Sequence, residues 1–195
     1  MNMREKQAKA SRAKIIKTTF KLFDKYGSNN VSIGDICKAA KISSGTLYHY
    51  FSSKDQLVVL YVRKPLHEML ERTVVPEIGK KPTKDLVLSF ISGIISSVIE
   101  RGVDWSKTYY ISSLSLGKND SFVHMLPYTV LHSILEKGIE LGEISDKYDA
   151  DFYTDYLFSL LNGATIGWNQ QDGETDLLLN GTHFFELAYE SIATK

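Results

Sequence analysis

The chain has 195 residues, 43% of them apolar, and its 23 Lys/Arg are balanced by 23 Asp/Glu. That composition suits one or two domains with a real core and excludes a disordered or collagen-like chain; with a single cysteine, an intrachain disulfide is impossible. The zero net charge conceals a split, because residues 1–60 carry 11 Lys/Arg against 4 acids (net +7) and residues 61–195 carry 12 against 19 (net −7). A basic end of this kind points to an interaction surface for anions there.

The opening MNMREKQAKASRAK is basic but is followed by no apolar run, so it does not read as a signal peptide. No stretch reaches the roughly 18 apolar residues of a membrane span. The expected location is cytoplasmic, with Cys37 a small core residue in a reducing compartment. Prolines are few and no strand-like alternation persists, so the expected fold class is all-α.

In chain order, the first predicted helix covers about 8–26: Ile16, Phe20 and Phe23 recur at helical spacing, and lysines at 14, 17, 21 and 25 occupy much of the rest. Gly27 suits a left-handed stop. The second helix begins at Ser32, with Asp35 three positions on to complete a capping box; Ile33, Ile36, Cys37 and Ala40 form its buried side. Ser43 caps a third helix over about 44–50, only a few residues beyond the second. A fourth begins near Ser53 and meets Pro65, which is expected to kink or interrupt it. Longer segments follow at about 83–101, 104–117, 121–141, 150–169 and 174–193.

Two short helices joined by a tight turn are the helix-turn-helix geometry, whose second member lies in the DNA major groove. In the third helix Leu47 and Phe51 are four apart and face inward, which leaves Ser44, Gly45 and Tyr48 outward. Thr46 and Tyr50 share a flank that can bond phosphate, with His49 beside them. Lys54 opens the next helix, where the dipole disfavours a cation, so a phosphate contact is an economical reason for it. Ser32 offers a similar helix start. Most such contacts position a protein on DNA and few specify sequence.

The stretch VSIGDICKAAKISSGTLYHYFSSKDQL, residues 31–57, resembles the TetR family of one-component transcriptional regulators. The family pattern is matched at Ser32, Asp35, Ile36, Ala40, Ser43, Gly45, Thr46, Leu47, Tyr48, Tyr50, Phe51, Ser53, Lys54, Asp55 and Leu57. The resemblance implies phosphate contacts from Thr46, Tyr50 and Lys54, with Tyr48 near the groove and Ser44 and His49 at positions that often touch DNA. Lys41 replaces the usual turn glycine and must adopt the turn conformation at some cost. Gly34 stands where some members carry a base-reading side chain, so this chain is expected to rely more on DNA shape.

The resemblance extends more weakly over residues 61–195. It implies a helix-turn-helix DNA-binding domain over 1–60 and an effector-binding and dimerisation domain over 61–195. The expected effector pocket is Trp105, Tyr109, Tyr110, Phe122 and His124. The expected dimer face is Leu160, Ala164, Gly167, Trp168, Leu177, Phe184 and Phe185. The expected function is a ligand-responsive regulator, a homodimeric repressor released from a pseudo-palindromic double-stranded DNA operator by a small, mostly apolar or aromatic effector. A DNA-binding protein without ligand control and a helical protein–protein adaptor are the alternatives. No enzyme motif, cofactor loop or metal-ligand spacing is present, since the histidines are scattered and GATIG at 163–167 sits inside a helical pattern.

Overall fold

The computed structural model describes residues 2–116 and 125–194, with the side chain of Met125 left undescribed. Nine α-helices lie among them: α1 (Met3–Tyr26), α2 (Ile33–Ala40), α3 (Ser44–Tyr50), α4 (Lys54–Thr73), α5 (Thr83–Arg101), α6 (Val103–Ser115), α7 (Met125–Glu140), α8 (Ala150–Gln170) and α9 (Leu177–Ile192). Short 3₁₀ turns at Ser28–Asn30 and Val75–Glu77 complete the order. The fold is all-α, with a small helix-turn-helix unit followed by a larger helical bundle. Among the described residues no single helix is long and apolar enough to cross a membrane.

Contacts divide the chain into two compact units, Met1–Val62 with Tyr109–Val123, and Arg63–Thr108 with His124–Lys195. The first unit is built round Ile15, Phe23, Val31, Ile36, Cys37, Leu47, Phe51, Leu57 and Val58. Helix α1 starts at Met3, five residues before the expected start at about residue 8 and twelve before its first buried residue, Ile15. Asn2 and Glu5 form a capping box there, each side chain taking the other's backbone N–H at 2.9 Å. Helices α2 and α3 follow their caps. Ser32 and Asp35 close the capping box at the start of α2, and the Ser43 Oγ accepts from Thr46 N at 3.1 Å. Helix α4 continues through Pro65 to Thr73 instead of breaking there.

The second unit packs α5 against α7 and α9, and α8 against α7 and α9. Val87, Phe90, Ile95, Leu131, Leu135, Leu157 and Phe185 lie at its centre. Helix α5 opens on Pro82, which supplies no side-chain cap. Its first N–H, on Thr83, is bonded instead by the carboxylate of Glu143, 60 residues away, at 2.6 Å. That bond holds the Glu143 carboxyl below the usual glutamate range. A carboxylate with a depressed folded pKa contributes stability that is present above its unfolded pKa and is lost as pH falls through the folded value. Glu143→Gln is therefore expected to flatten the acid limb of the second unit's stability profile, read from urea midpoints measured on either side of the carboxylate range. The same turn holds the end of the chain, where Ser145 N donates to Ile192 O at 2.8 Å and Thr194 N to Glu143 O at 3.1 Å.

Candidate nucleic-acid interface and effector region

The reading face begins with the turn between α2 and α3. Lys41 sits in the left-handed region at φ 56°, ψ 53°, and its N–H returns to the carbonyls of Cys37 and Lys38. A lysine holds the conformation that glycine adopts most cheaply, so the turn retains the tight shape at a backbone cost of about 1 kcal/mol. Leu47 and Phe51 are buried, while Ser44, Gly45, Thr46, Tyr48 and His49 are exposed on α3. Tyr48 is 54% exposed and Tyr50 half-buried, with the Tyr50 ring edge-on to His49 at 5.0 Å. A Cβ at Gly45 would meet only Ser43 Oγ, at 3.8 Å, so nothing in the protein crowds that end of α3.

Several hydroxyls on this face already have internal roles. Ser32 Oγ donates to Asp35 Oδ2 at 2.5 Å and accepts from Asp35 N at 3.1 Å; the hydroxyl bond, together with Ser32 N donating to the same Oδ2 at 2.9 Å, lowers the Asp35 pKa. Thr46 Oγ1 lies 2.9 Å from Ser43 Oγ, and the Cys37 thiol lies 4.0 Å from Ser44 Oγ. Lys54 departs most from expectation. Its ammonium donates to Ser28 O at 3.1 Å and Val31 O at 3.2 Å, on either side of the approach to α2. A cation at the start of α4 is thus explained within the protein by two carbonyls, and only one of its three N–H donors remains for a phosphate. Sequence spacing could not reveal these bonds, which join positions 26 and 23 residues apart.

The expected effector residues are distributed more widely. Trp105 is half-buried in the second unit with the Arg101 guanidinium 6.0 Å from its ring. Tyr109 and Tyr110, edge-to-face at 5.3 Å, are grouped with the first unit. Phe122 and His124 lie outside the described residues. A separate aromatic group escaped the sequence reading: Phe158 of α8 stacks on Tyr128 of α7 at 5.7 Å and meets Phe90 of α5 edge-on at 6.2 Å. An open groove of about 470 Å³ beside α7 is lined mainly by His132, Glu136, Glu140, Asp146, Tyr148 and Asp151. It is too rich in carboxylates for an apolar ligand. Among the described residues, no group of three or more His, Cys, Asp or Glu is placed to hold a metal.

Three of the residues expected at the dimer face are buried within the protomer. Trp168, Leu177 and Phe185 are sealed in the second unit's own core at 7%, 2% and 0% exposure. Burial of a side chain within the protomer depends on which faces meet after folding, which the resemblance does not specify. Leu160, Ala164 and Gly167 are half-buried and Phe184 is exposed. Nearby, Ile166, Leu178, Leu179 and Leu187 also lie open. A Cβ at Gly163 or Gly167 would meet nothing within 4 Å, so neither glycine serves a close contact inside the protomer.

A short basic three-helix unit with a capped, outward-facing third helix, followed by a larger helical bundle, defines a helix-turn-helix DNA-binding regulator. The family model for bacterial regulatory proteins of the tetR family matches residues 15–60, and the chain belongs to that family, whose members are ligand-responsive transcriptional regulators. The chain is 22% identical over 194 residues to the fatty acid metabolism regulator protein of Bacillus subtilis strain 168, covering 97% of this chain and all of that one. It is 38% identical over 154 residues to the HTH-type transcriptional regulator SAR2658 of Staphylococcus aureus strain MRSA252, covering 78% of this chain and 66% of the relative. Among solved structures, Thermus thermophilus FadR, a TetR-family repressor in complex with lauroyl-CoA, superposes with a TM-score of 0.77 at 17% identity, covering 94% of this chain and 96% of that one.

Proposed function

We propose that the protein is a homodimeric repressor that binds a pseudo-palindromic operator through α3 and is released by a mostly apolar effector held in the 61–195 domain. The observation that carries the DNA part is the open face of α3, where Ser44, Gly45, Thr46, Tyr48 and His49 are exposed over a buried Leu47 and Phe51. Tyr50 and the remaining Lys54 N–H stand at its margin for phosphates, and Ser32 contributes through the start of α2. Dimerisation is a geometric need, since two recognition helices must reach major grooves roughly 34–36 Å apart. The open apolar residues of α8 and α9, with Phe184 and the uncrowded Gly163 and Gly167, support a partner on that face.

An acyl-CoA is the effector class to test first. The support is the likeness to a fatty acid metabolism regulator along the whole chain and to a fold solved with lauroyl-CoA. On an operator selected from a random-sequence duplex library, Tyr48→Ala is expected to lose about 1–3 kcal/mol of affinity, and much less on random DNA. Equal losses on both would make Tyr48 a positioning residue. Lauroyl-CoA is expected to weaken operator binding, and operator to weaken lauroyl-CoA binding by the same factor. Equal lauroyl-CoA affinity in free and DNA-bound protein overturns the effector assignment and leaves the DNA assignment standing.

A further inference from the structure

The first turns of α1 are a helix without a packing partner. Residues 2–10 are all exposed, and the first buried side chain of α1 is Ile15. Helical tertiary structure elsewhere rests on an apolar face, and a short isolated helix is marginal in water. This segment has no such face, because Met3 is its only large apolar residue and is 81% exposed. It is held locally, by the Asn2–Glu5 capping box and by the helix formers Lys6, Gln7, Ala8, Lys9 and Ala10.

Its charge is as one-sided as its packing. Arg4, Lys6 and Lys9 make no ion pair among the described residues, and the segment's one acid, Glu5, is turned back onto Asn2 N at 2.9 Å. Where the segment joins the folded unit, the Arg12 guanidinium lies 5.0 Å from the ring centre of Phe51, the residue that ends α3. The basic turns therefore depart from the unit beside the recognition helix. A polycationic helix with no apolar stripe suits neither a partner helix nor a membrane surface, both of which take an amphipathic face. A line of phosphates needs only charge and reach.

We infer that residues 3–9 of α1 form a basic arm that contacts the phosphate backbone flanking the half-site read by α3. The inference rests on the DNA-binding reading and adds to it a sequence-independent surface outside the helix-turn-helix. The arm spans roughly 10 Å at 1.5 Å per residue, a reach of about three base pairs along a duplex.

The test uses the full chain and its Arg4→Gln/Lys6→Gln/Lys9→Gln variant on the selected operator, with and without ten flanking base pairs on each side. Glutamine keeps helix propensity while removing charge. With flanks, the variant's dependence of log affinity on log salt is expected to be shallower by two to three. Three contacts at about 0.9 each mean that the wild type loses roughly 40-fold more affinity than the variant between 50 and 200 mM salt. Without flanks the two slopes are expected to coincide, and the preference for operator over random duplex to be the same for both. Equal slopes on the flanked duplex overturn the arm while leaving DNA binding intact, as does a difference that survives removal of the flanks. Equal duplex slopes with lost capture on phosphatidylglycerol vesicles would assign the charges to a lipid surface instead. If the wild type binds no duplex, the DNA-binding reading fails and the arm fails with it.

Discussion

Phe51→Ala is expected to unfold most of the DNA-binding unit while leaving the larger one standing. Phe51 is 1% exposed at the end of α3, shares a core with Ile36, Leu47 and Leu57, and carries the Arg12 guanidinium over its ring. Truncating a phenylalanine sealed in this way costs about 3–5 kcal/mol. A unit of fewer than eighty residues holds little more than that in total. The second unit has its own core, and both tryptophans, Trp105 and Trp168, belong to it. Tryptophan fluorescence therefore follows the larger unit, whereas far-UV circular dichroism follows both. In the variant, circular dichroism is expected to show an early urea transition that fluorescence lacks, together with loss of duplex binding. Coincident transitions at a lower midpoint would show instead that the two units unfold as one.

Lys54→Met is expected to have the second largest effect, and to act in two ways that can be separated. Loss of the ammonium deprives the Ser28 and Val31 carbonyls of their donor and loosens the approach to α2. Charge-assisted bonds of this kind, partly buried, are worth about 1–3 kcal/mol of stability together. Binding to every duplex is expected to weaken alike, with a salt slope shallower by about 0.9 if the third N–H meets a phosphate. Lost stability with an unchanged slope would confine Lys54 to the internal role. Lys54→Arg distinguishes charge from geometry, because a planar guanidinium keeps the charge but reproduces the pair of carbonyl bonds poorly.

The helix-turn-helix was legible because its boundaries are written in local chemistry. Ser32 with Asp35 and Ser43 with Thr46 cap within four residues, and the turn conformation at Lys41 follows from the shortness of the α2–α3 connection. The apolar period of α1 misplaced its start, since periodicity reports burial and the first turns are not buried; the Asn2–Glu5 pair was the signal that could have found it. Contacts between distant residues were not legible at all. Lys54 with Ser28 and Val31, Glu143 with Thr83, and the burial of Trp168, Leu177 and Phe185 depend on which faces meet after folding. The aromatic group of Phe90, Tyr128 and Phe158 joins three helices that no local pattern relates.

Helix α4 leaves the first unit just beyond a series of anchors. Lys54 is held by carbonyls, Leu57 and Val58 are in the core, and the Tyr61 hydroxyl donates to Asp24 with Phe20 and Phe23 edge-on to its ring. Four residues past Tyr61 stands Pro65, which carries no N–H, so the backbone ladder of α4 misses a rung there. The anchored turns of α4 are thus followed within one turn by the position where its backbone ladder lacks a hydrogen bond, while the helix itself runs on to Thr73.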